Sequence, residues 1–352
     1  MITSVVAVTR WRAMASATVL AGLAAAVGHG GAAIAADFYE GRRITVIAGG
    51  TPGAGLDSYV RLVARHYTRF IPGQPPIIVQ NMPGAGSYAA AEYVETQAAK
   101  DGTTIGSVFP GAIMAGLLDP KKPRFDPTKF IYIGTAETGP RICLSSSASR
   151  IKTYEDVLKS KLIVAASQAG GSSRDYSLMA NALAGTQFQL VSGYKGGADM
   201  FLAVERGEVE GLCAFDWSTI KTARPDWLRD KKINLLIQFA VTPDKELDGL
   251  GVPDFRKHVP AADHPVADLV VAQQIFSRMF FVPGAVPADR VRELRDAFMK
   301  TMADPGFLAE AGKQQMNIDP LSGEQVERIV KQIYASSPDV VERARKALQP
   351  PG

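Results

Sequence analysis

Cysteine, histidine and long apolar runs are all scarce in this chain, and each scarcity removes a class of function. Only two cysteines occur, Cys143 and Cys213, so no thiolate cluster can hold a metal. Beyond residue 36 there are three histidines, His66, His258 and His264, and none forms a His-x-x-x-His pair. No Gly-x-Ser-x-Gly elbow is present, and the Ser-x-x-Lys match at Ser218–Lys221 lacks the partner motifs that would give it meaning. Charge of one sign is also missing. The formal charge is +4, and removing Arg10 and Arg12, the only charges before Asp37, leaves +2. There is no basic run with interleaved aromatics, so the footprint of a nucleic-acid binder is absent. After residue 36 no apolar stretch reaches the ~18 residues that suggest a membrane span.

What is present begins with an export pattern. Arg10 and Arg12 give a positive start, Ala13 to Val27 is apolar, and "AAIAAD" offers small residues for cleavage after Ala35 or Ala36. Residues 1–36 are therefore expected to be a signal peptide, with the mature chain in a periplasm. Export permits a disulfide. Both cysteines lie in strand-like runs, "RICLS" and "GLCAF", and spacing leaves open whether they pair or are two small buried residues.

The remainder alternates short apolar runs with helical patterns. "ITVIAG" leads into Leu56 to Phe70, where Leu56, Tyr59, Val60, Val63, Tyr67 and Phe70 recur at three and four, one stripe on a helix. "IIVQ", "TIGSV", "FIYIGT", "RICLS", "LIVAAS", "FQLVSG", "VEGLCAFD" and "NLLIQFAVT" read as further strands. Thr153 and Asp156 form a capping-box pattern. Helices are expected over Ala288 to Met302 and Glu324 to Tyr334. Strand, loop and helix in repetition predict an α/β protein with parallel or mixed sheets flanked by helices.

The joints carry the functional signal. Glycine turns at 49–57, 83–87, 169–173 and 195–197 each stand between a strand and a helix. In such architecture ligands sit beyond the carboxyl ends of strands. There the backbone N–H groups and dipole of the following helix favour an anion. The anion is not a nucleotide on this pattern. Gly50 to Gly55 has P-loop spacing, but Leu56 stands where lysine is needed. Gly53 and Gly55 begin a dinucleotide fingerprint, but Ser58 replaces its third glycine. Asp57 reads most simply as a helix cap, with direct ligand contact as the alternative.

Taken together the turns resemble a known family, the substrate-binding proteins of tripartite tricarboxylate transporters, called TctC or Bug proteins. "GRRITVIAGGTPGAGLDSYVRLVARH" looks like its opening strand, turn and helix, and "IIVQNMPGAGSYAAAEYV" like its Asn-x-Pro-Gly-Ala-Gly signature. "KDGTTIGSV", "SQAGGSSRDY", "YKGGADMFLAVERGEVEG" and "FFVPGAVPADRVRELRDAFMKTMADPGFLAEA" match later segments, so the likeness covers nearly the whole mature chain. Departures fall in the turns: Ala48 to Thr51 replace a Pro-Phe pair, Ala54 and Ala169 replace glycines, and Asp175 stands where histidine is common. These leave the identity of the ligand open.

The resemblance implies a two-lobed periplasmic binding protein fold, type II-like, with a ligand cleft between lobes. Expected divisions are 37–140 for the first part of lobe one, 141–240 for lobe two, and 241–352 for the return, with crossings near Gly139 and Gln238 to Thr242. It implies no catalysis, no cofactor and no metal. The expected ligand is a small organic acid: a mono-, di- or tricarboxylate, with an aromatic carboxylate as the rival within that class. The expected partner is a membrane permease. One jaw would comprise Thr51, Pro52, Gly53, Ala54, Gly55 and Asp57, with Gly86 and Ser87. Gly171, Ser172 and Ser173 would form the facing helix start. Phe109 and Pro110 would line the cleft, Tyr194 and Lys195 a further turn, and Asp216 and Trp217 another strand end. Arg141 and Arg174 are possible anion partners. A ligand sensor for a signalling partner, and less readily a secreted hydrolase, are the competing readings.

Overall fold

Apolar runs bounded by glycine turns become the strands and helix starts of two sheets. A computed structural model describes residues 38–53, 55–118, 123–167, 171–194, 196–241 and 244–350. Residues 1–37, which include the expected signal peptide, and Ala54, Ala169, Lys195 and Thr242 lie outside the described residues.

The chain first lays down β1 (Ile44–Ala48), α1 (Gly55–Tyr67), β2 (Ile77–Asn81), α2 (Tyr88–Thr96), β3 (Thr104–Ser107), α3 (Pro110–Leu118) and β4 (Ile131–Thr135). It then forms β5 (Arg141–Ser146), α4 (Tyr154–Lys159), β6 (Leu162–Ala166), α5 (Ser172–Ala184), β7 (Phe188–Ser192), α6 (Gly197–Glu205), β8 (Gly211–Asp216), α7 (Trp217–Ala223), α8 (Pro225–Arg229) and β9 (Ile233–Phe239). The last third holds α9 (Lys245–Gly249), α10 (His264–Val271), β10 (Met279–Val282), α11 (Ala288–Ala303), α12 (Pro305–Lys313), β11 (Leu321–Ser322), α13 (Gly323–Tyr334) and α14 (Pro338–Ala347).

Both sheets are mixed. The first runs β11-β4-β10-β3-β1-β2 and the second β7-β6-β8-β5-β9. Strand β1 is parallel to β2 and β3, whereas β10 enters antiparallel between β3 and β4. In the second sheet β6 is parallel to β7 and β8, and β5 lies antiparallel between β8 and β9. Helices flank the sheets, giving the α/β layering that the strand–helix alternation predicts, in the two-lobed form that the resemblance implies.

Burial explains the strand sequences. All four residues of β3 are buried, as a central strand covered on both faces requires. Edge strand β2 instead leaves Ile78 46% exposed. On α1 the stripe Leu56, Tyr59, Val60, Val63 and Tyr67 is buried; Phe70 falls in a following 3₁₀ turn. The capping box of α4 forms, with Thr153 accepting from the Asp156 N–H and Asp156 from the Thr153 N–H. One apolar cluster joins Ile47 and Phe281 of the first sheet to Phe239 of the second and to Tyr176 on α5, so the lobes share part of their core.

Cys143 and Cys213 form a disulfide. Both are fully buried, on the adjacent strands β5 and β8. The ladder steps from Ile142↔Phe215 to Leu144↔Leu212, so two residues of β8 oppose Cys143, and Ala214 takes a φ of 55° at this bulge. The bridge spans 70 positions, and closing a loop of that length restricts the unfolded chain by about 4 kcal/mol.

Candidate functional site

The turn after β1 is built by its neighbours. A side chain at Gly49 would place its Cβ 2.5 Å from the Ser87 Oγ, so only glycine fits. Gly53 has a φ of 76°, the left-handed region that favours glycine. Asp57 is buried and gathers the loop. It accepts from the Gly53 N–H at 2.8 Å, the Arg61 Nε at 2.9 Å and the Asn81 Nδ2 at 2.8 Å. Burial raises its carboxyl, but these hydrogen bonds outweigh that and hold it below the usual carboxylate range. The Gly53 amide is therefore engaged by the chain's own carboxylate. Thr51, Pro52 and Gly53 are exposed.

A second loop locks onto the first. Ala85, Gly86 and Ser87 have φ values of 45°, 67° and 76°. This turn carries Ser87 beneath the first loop, where its Oγ donates to the Gly49 carbonyl at 2.9 Å and accepts from the Phe109 N–H at 3.0 Å. One hydroxyl thus ties together three strand ends. The Phe109 ring is 37% exposed and lies over Gly50, where an added Cβ would sit 3.5 Å from it. Pro110 is buried.

The other expected site residues belong to the second sheet and its helices. Gly171 caps α5, and the Ser173 hydroxyl accepts from the Ser167 N–H at 2.9 Å, closing the β6-to-α5 turn. Ser172 is half-buried at the helix start. Arg174 pairs with Asp175 at 3.0 Å. Tyr194 is half-buried before α6. Trp217 is buried, its indole N–H donating to the Glu246 carboxylate at 2.8 Å. It forms a wall rather than an exposed ring.

The two sides meet at Gly55. A Cβ there would lie 3.6 Å from the Arg278 Nη2 and 3.9 Å from the Thr219 Oγ1 of α7, so the start of α1 faces the second lobe across a narrow seam. Four buried or half-buried charges lie beneath it. The Arg278 Nη2 donates to Asp216 at 2.9 Å and its Nε is 3.4 Å from Glu137. The Arg141 Nε is 3.3 Å from the other Asp216 oxygen, and its Nη2 donates to the Ser277 hydroxyl at 2.9 Å. Glu137 also accepts from the Ser218 hydroxyl at 2.6 Å. Burial alone would raise both carboxyls. Between two guanidiniums, Asp216 is held low. Glu137 is raised, by burial and the nearby Asp216 charge, against the pull of Arg278. Arg141, an anion candidate from the sequence, is thus engaged within the protein. Arg278 and Glu137 carried no motif, since each is a single polar residue among apolar or loop neighbours, whereas Tyr59 read only as part of the buried stripe of α1.

Among the described residues no group of three or more His, Cys, Asp or Glu side chains could hold a metal ion, and no helix is long and apolar enough to cross a membrane.

No protein-family model matches the sequence, and no curated protein matches it. Solved structures match its fold. The periplasmic binding protein BugD shares it with a TM-score of 0.66 at 19% identity, over 88% of this chain and 98% of that one. MatC from Rhodopseudomonas palustris, solved with malate, gives 0.64 at 20% identity, over 87% and 99%. A further R. palustris protein, solved with adipate, gives 0.66 at 17% identity, over 87% and 97%. The fold is similar to the one that these binding proteins share.

Proposed function

We propose that this chain is an extracytoplasmic solute-binding protein of the TctC or Bug family. It captures a small organic carboxylate between its lobes and delivers it to a tripartite membrane permease. The observation that carries the reading is the position of Gly55. The first helix of one lobe opens, without a side chain, onto α7 of the other lobe beside the Arg278 guanidinium. Helix-terminal N–H groups favour an anion, and closing two lobes on it excludes water and strengthens those hydrogen bonds. Binding proteins of the same fold hold malate and adipate.

On this reading the ligand lies against Thr51, Pro52 and Gly55, with Gly86 and Phe109 at the rim. Ser172 and the turn preceding it close from the second lobe, and Tyr194 borders the opening. Asp57, Ser87 and Ser173 shape the turns, and Trp217 and Asp216 support the floor. Residues 1–36 direct export and are removed. Residues 141–240 form the second lobe, with 37–140 and 241–352 completing the first. Capture involves no bond-making, so no cofactor is needed.

A thermal-shift screen of the mature chain against organic acids tests the reading. Some mono-, di- or tricarboxylate should raise the melting temperature, since a ligand at 100 times its Kd adds about 2.7 kcal/mol. If phosphates or sugars shift it while no acid does, the ligand class is wrong.

A further inference from the structure

Capture by backbone amides does not call for buried charge, yet the seam holds a set of four charged side chains. Arg141, Arg278 and Glu137 have side chains no more than 5% exposed, and Asp216 is 20% exposed. An apolar cluster of the same volume would serve stability at least as well, because removing ions from water is costly. The arrangement does something an apolar cluster could not. The Arg278 guanidinium lies over the ring of Tyr59 on α1, 4.6 Å from its centroid. Asp216 bridges Arg278 to Arg141. The Arg141 guanidinium in turn lies over the ring of Tyr176 on α5, at 5.5 Å. Tyr59 and Tyr176 occupy the same place on their helices, four residues after the first helical residue, Gly55 and Ser172. Each ring therefore stands one turn below a helix start that faces the cleft. Backbone bonds tie the carriers together: the Trp217 N–H donates to the Pro140 carbonyl at 3.0 Å and the Ala136 N–H to the Arg278 carbonyl at 2.9 Å.

We infer that the chain Tyr59–Arg278–Asp216–Arg141–Tyr176 is a positioning strut that holds the two cleft-facing helices in register, so that both helix starts address one ligand. The inference deepens the solute-binding reading and rests on it for its purpose. The residues act through the helices and need not touch the ligand. Arginine is required at both stations, because a planar guanidinium can stack on a ring with its face while its edge pairs with a carboxylate; an ammonium cannot.

Amide hydrogen exchange on the mature chain without ligand tests the strut. Tyr176→Leu, which removes the ring in the second lobe, should raise exchange about tenfold at residues 59–61 in the first lobe, the first amides of α1 that are bonded within the helix. Exchange at residues 62–67 of the same helix should stay as in the wild type. Tyr176→Phe keeps the ring and loses the hydroxyl, with its bonds to the Val271 carbonyl and the Gln274 side chain, so it should leave residues 59–61 unchanged. If the leucine variant does not fold, Arg141→Lys, which keeps the charge and loses the plane, should give the same rise. The inference is overturned if exchange at 59–61 is the same in the leucine and phenylalanine variants, or if Arg141→Lys raises exchange only around residues 173–177. Since no ligand is added, a chain that bound no acid would still give a decisive answer. The two readings therefore fail separately.

Discussion

Replacing Gly55 by aspartate should move stability and affinity in opposite directions. An added Cβ would meet Arg278 and Thr219 at 3.6 and 3.9 Å, which is ordinary van der Waals contact, so a side chain can be built without shifting the backbone. The new carboxylate would stand at the first turn of α1, where an acid stabilises a helix by about 0.3–1 kcal/mol. It would also stand where the ligand's carboxylate is proposed to lie. Two like charges about 5 Å apart at an effective dielectric of about 20 repel by about 3 kcal/mol, a loss of affinity of about a hundredfold. Gly55→Asn is the matched comparison, because it has nearly the same size without the charge. Titration calorimetry with the best acid from the thermal screen should show the aspartate variant binding about a hundredfold more weakly than the asparagine variant. Scanning calorimetry without ligand should show it melting no lower. Equal affinities in the two variants would refute the reasoning, because the cleft would then hold no anion near Gly55.

The buried charges and the disulfide give two further expectations. Asp216→Asn should cost about 3 kcal/mol or more, since it leaves two buried guanidiniums without their shared partner, whereas Glu137→Gln should cost far less. The pH dependence separates these carboxyls. The Asp216 carboxyl is depressed, so its contribution is present above the unfolded carboxylate range and lost as pH falls through its folded pKa. The Glu137 carboxyl is raised, so its contribution is present at low pH and lost as pH rises through its folded pKa. Urea unfolding at several pH values should therefore show Glu137→Gln gaining on the wild type as pH rises; a constant gap would contradict the assignment. Replacing both cysteines by alanine should lower unfolding free energy by about 4 kcal/mol, read from urea midpoints, and a loss under 1 kcal/mol would mean that loop closure is not what the bridge contributes.

Much of this architecture was legible because it is local. "ITVIA" followed by glycines, and Thr153 with Asp156, announce a strand end and a helix start within a few residues, and both form. The antiparallel entry of β10 between β3 and β4 was not legible from period or propensity. It pairs Phe281 with Gly106 and Tyr132, far away in sequence. The disulfide was open for the same reason: two buried strand positions are readable, but their adjacency comes from the register of β5 against β8. The floor of the cleft was the least visible part. Glu137, Arg141, Asp216 and Arg278 lie at the ends of different elements; Arg141 and Asp216 read as ligand contacts and Glu137 and Arg278 as nothing in particular, so that the four pair with one another could not be read from any of them alone. Asp57 shows the opposite case, since its position just inside a helix suggested a cap and its carboxylate does close the preceding turn onto Gly53.

The late arrival of β10 has a consequence for how the polypeptide is made. Until residues 279–282 are available, β3 and β4 have no strand to join them, and the first sheet remains in two pieces with raw inner edges. A chain emerging from its amino end exposes those edges from the completion of β3 until β10 is made, and unpaired edges invite pairing with other molecules. The four residues Met279–Val282 act as a keystone, so a truncation that spares every residue of the cleft's first jaw, yet stops short of them, should yield aggregates instead of a weaker receptor.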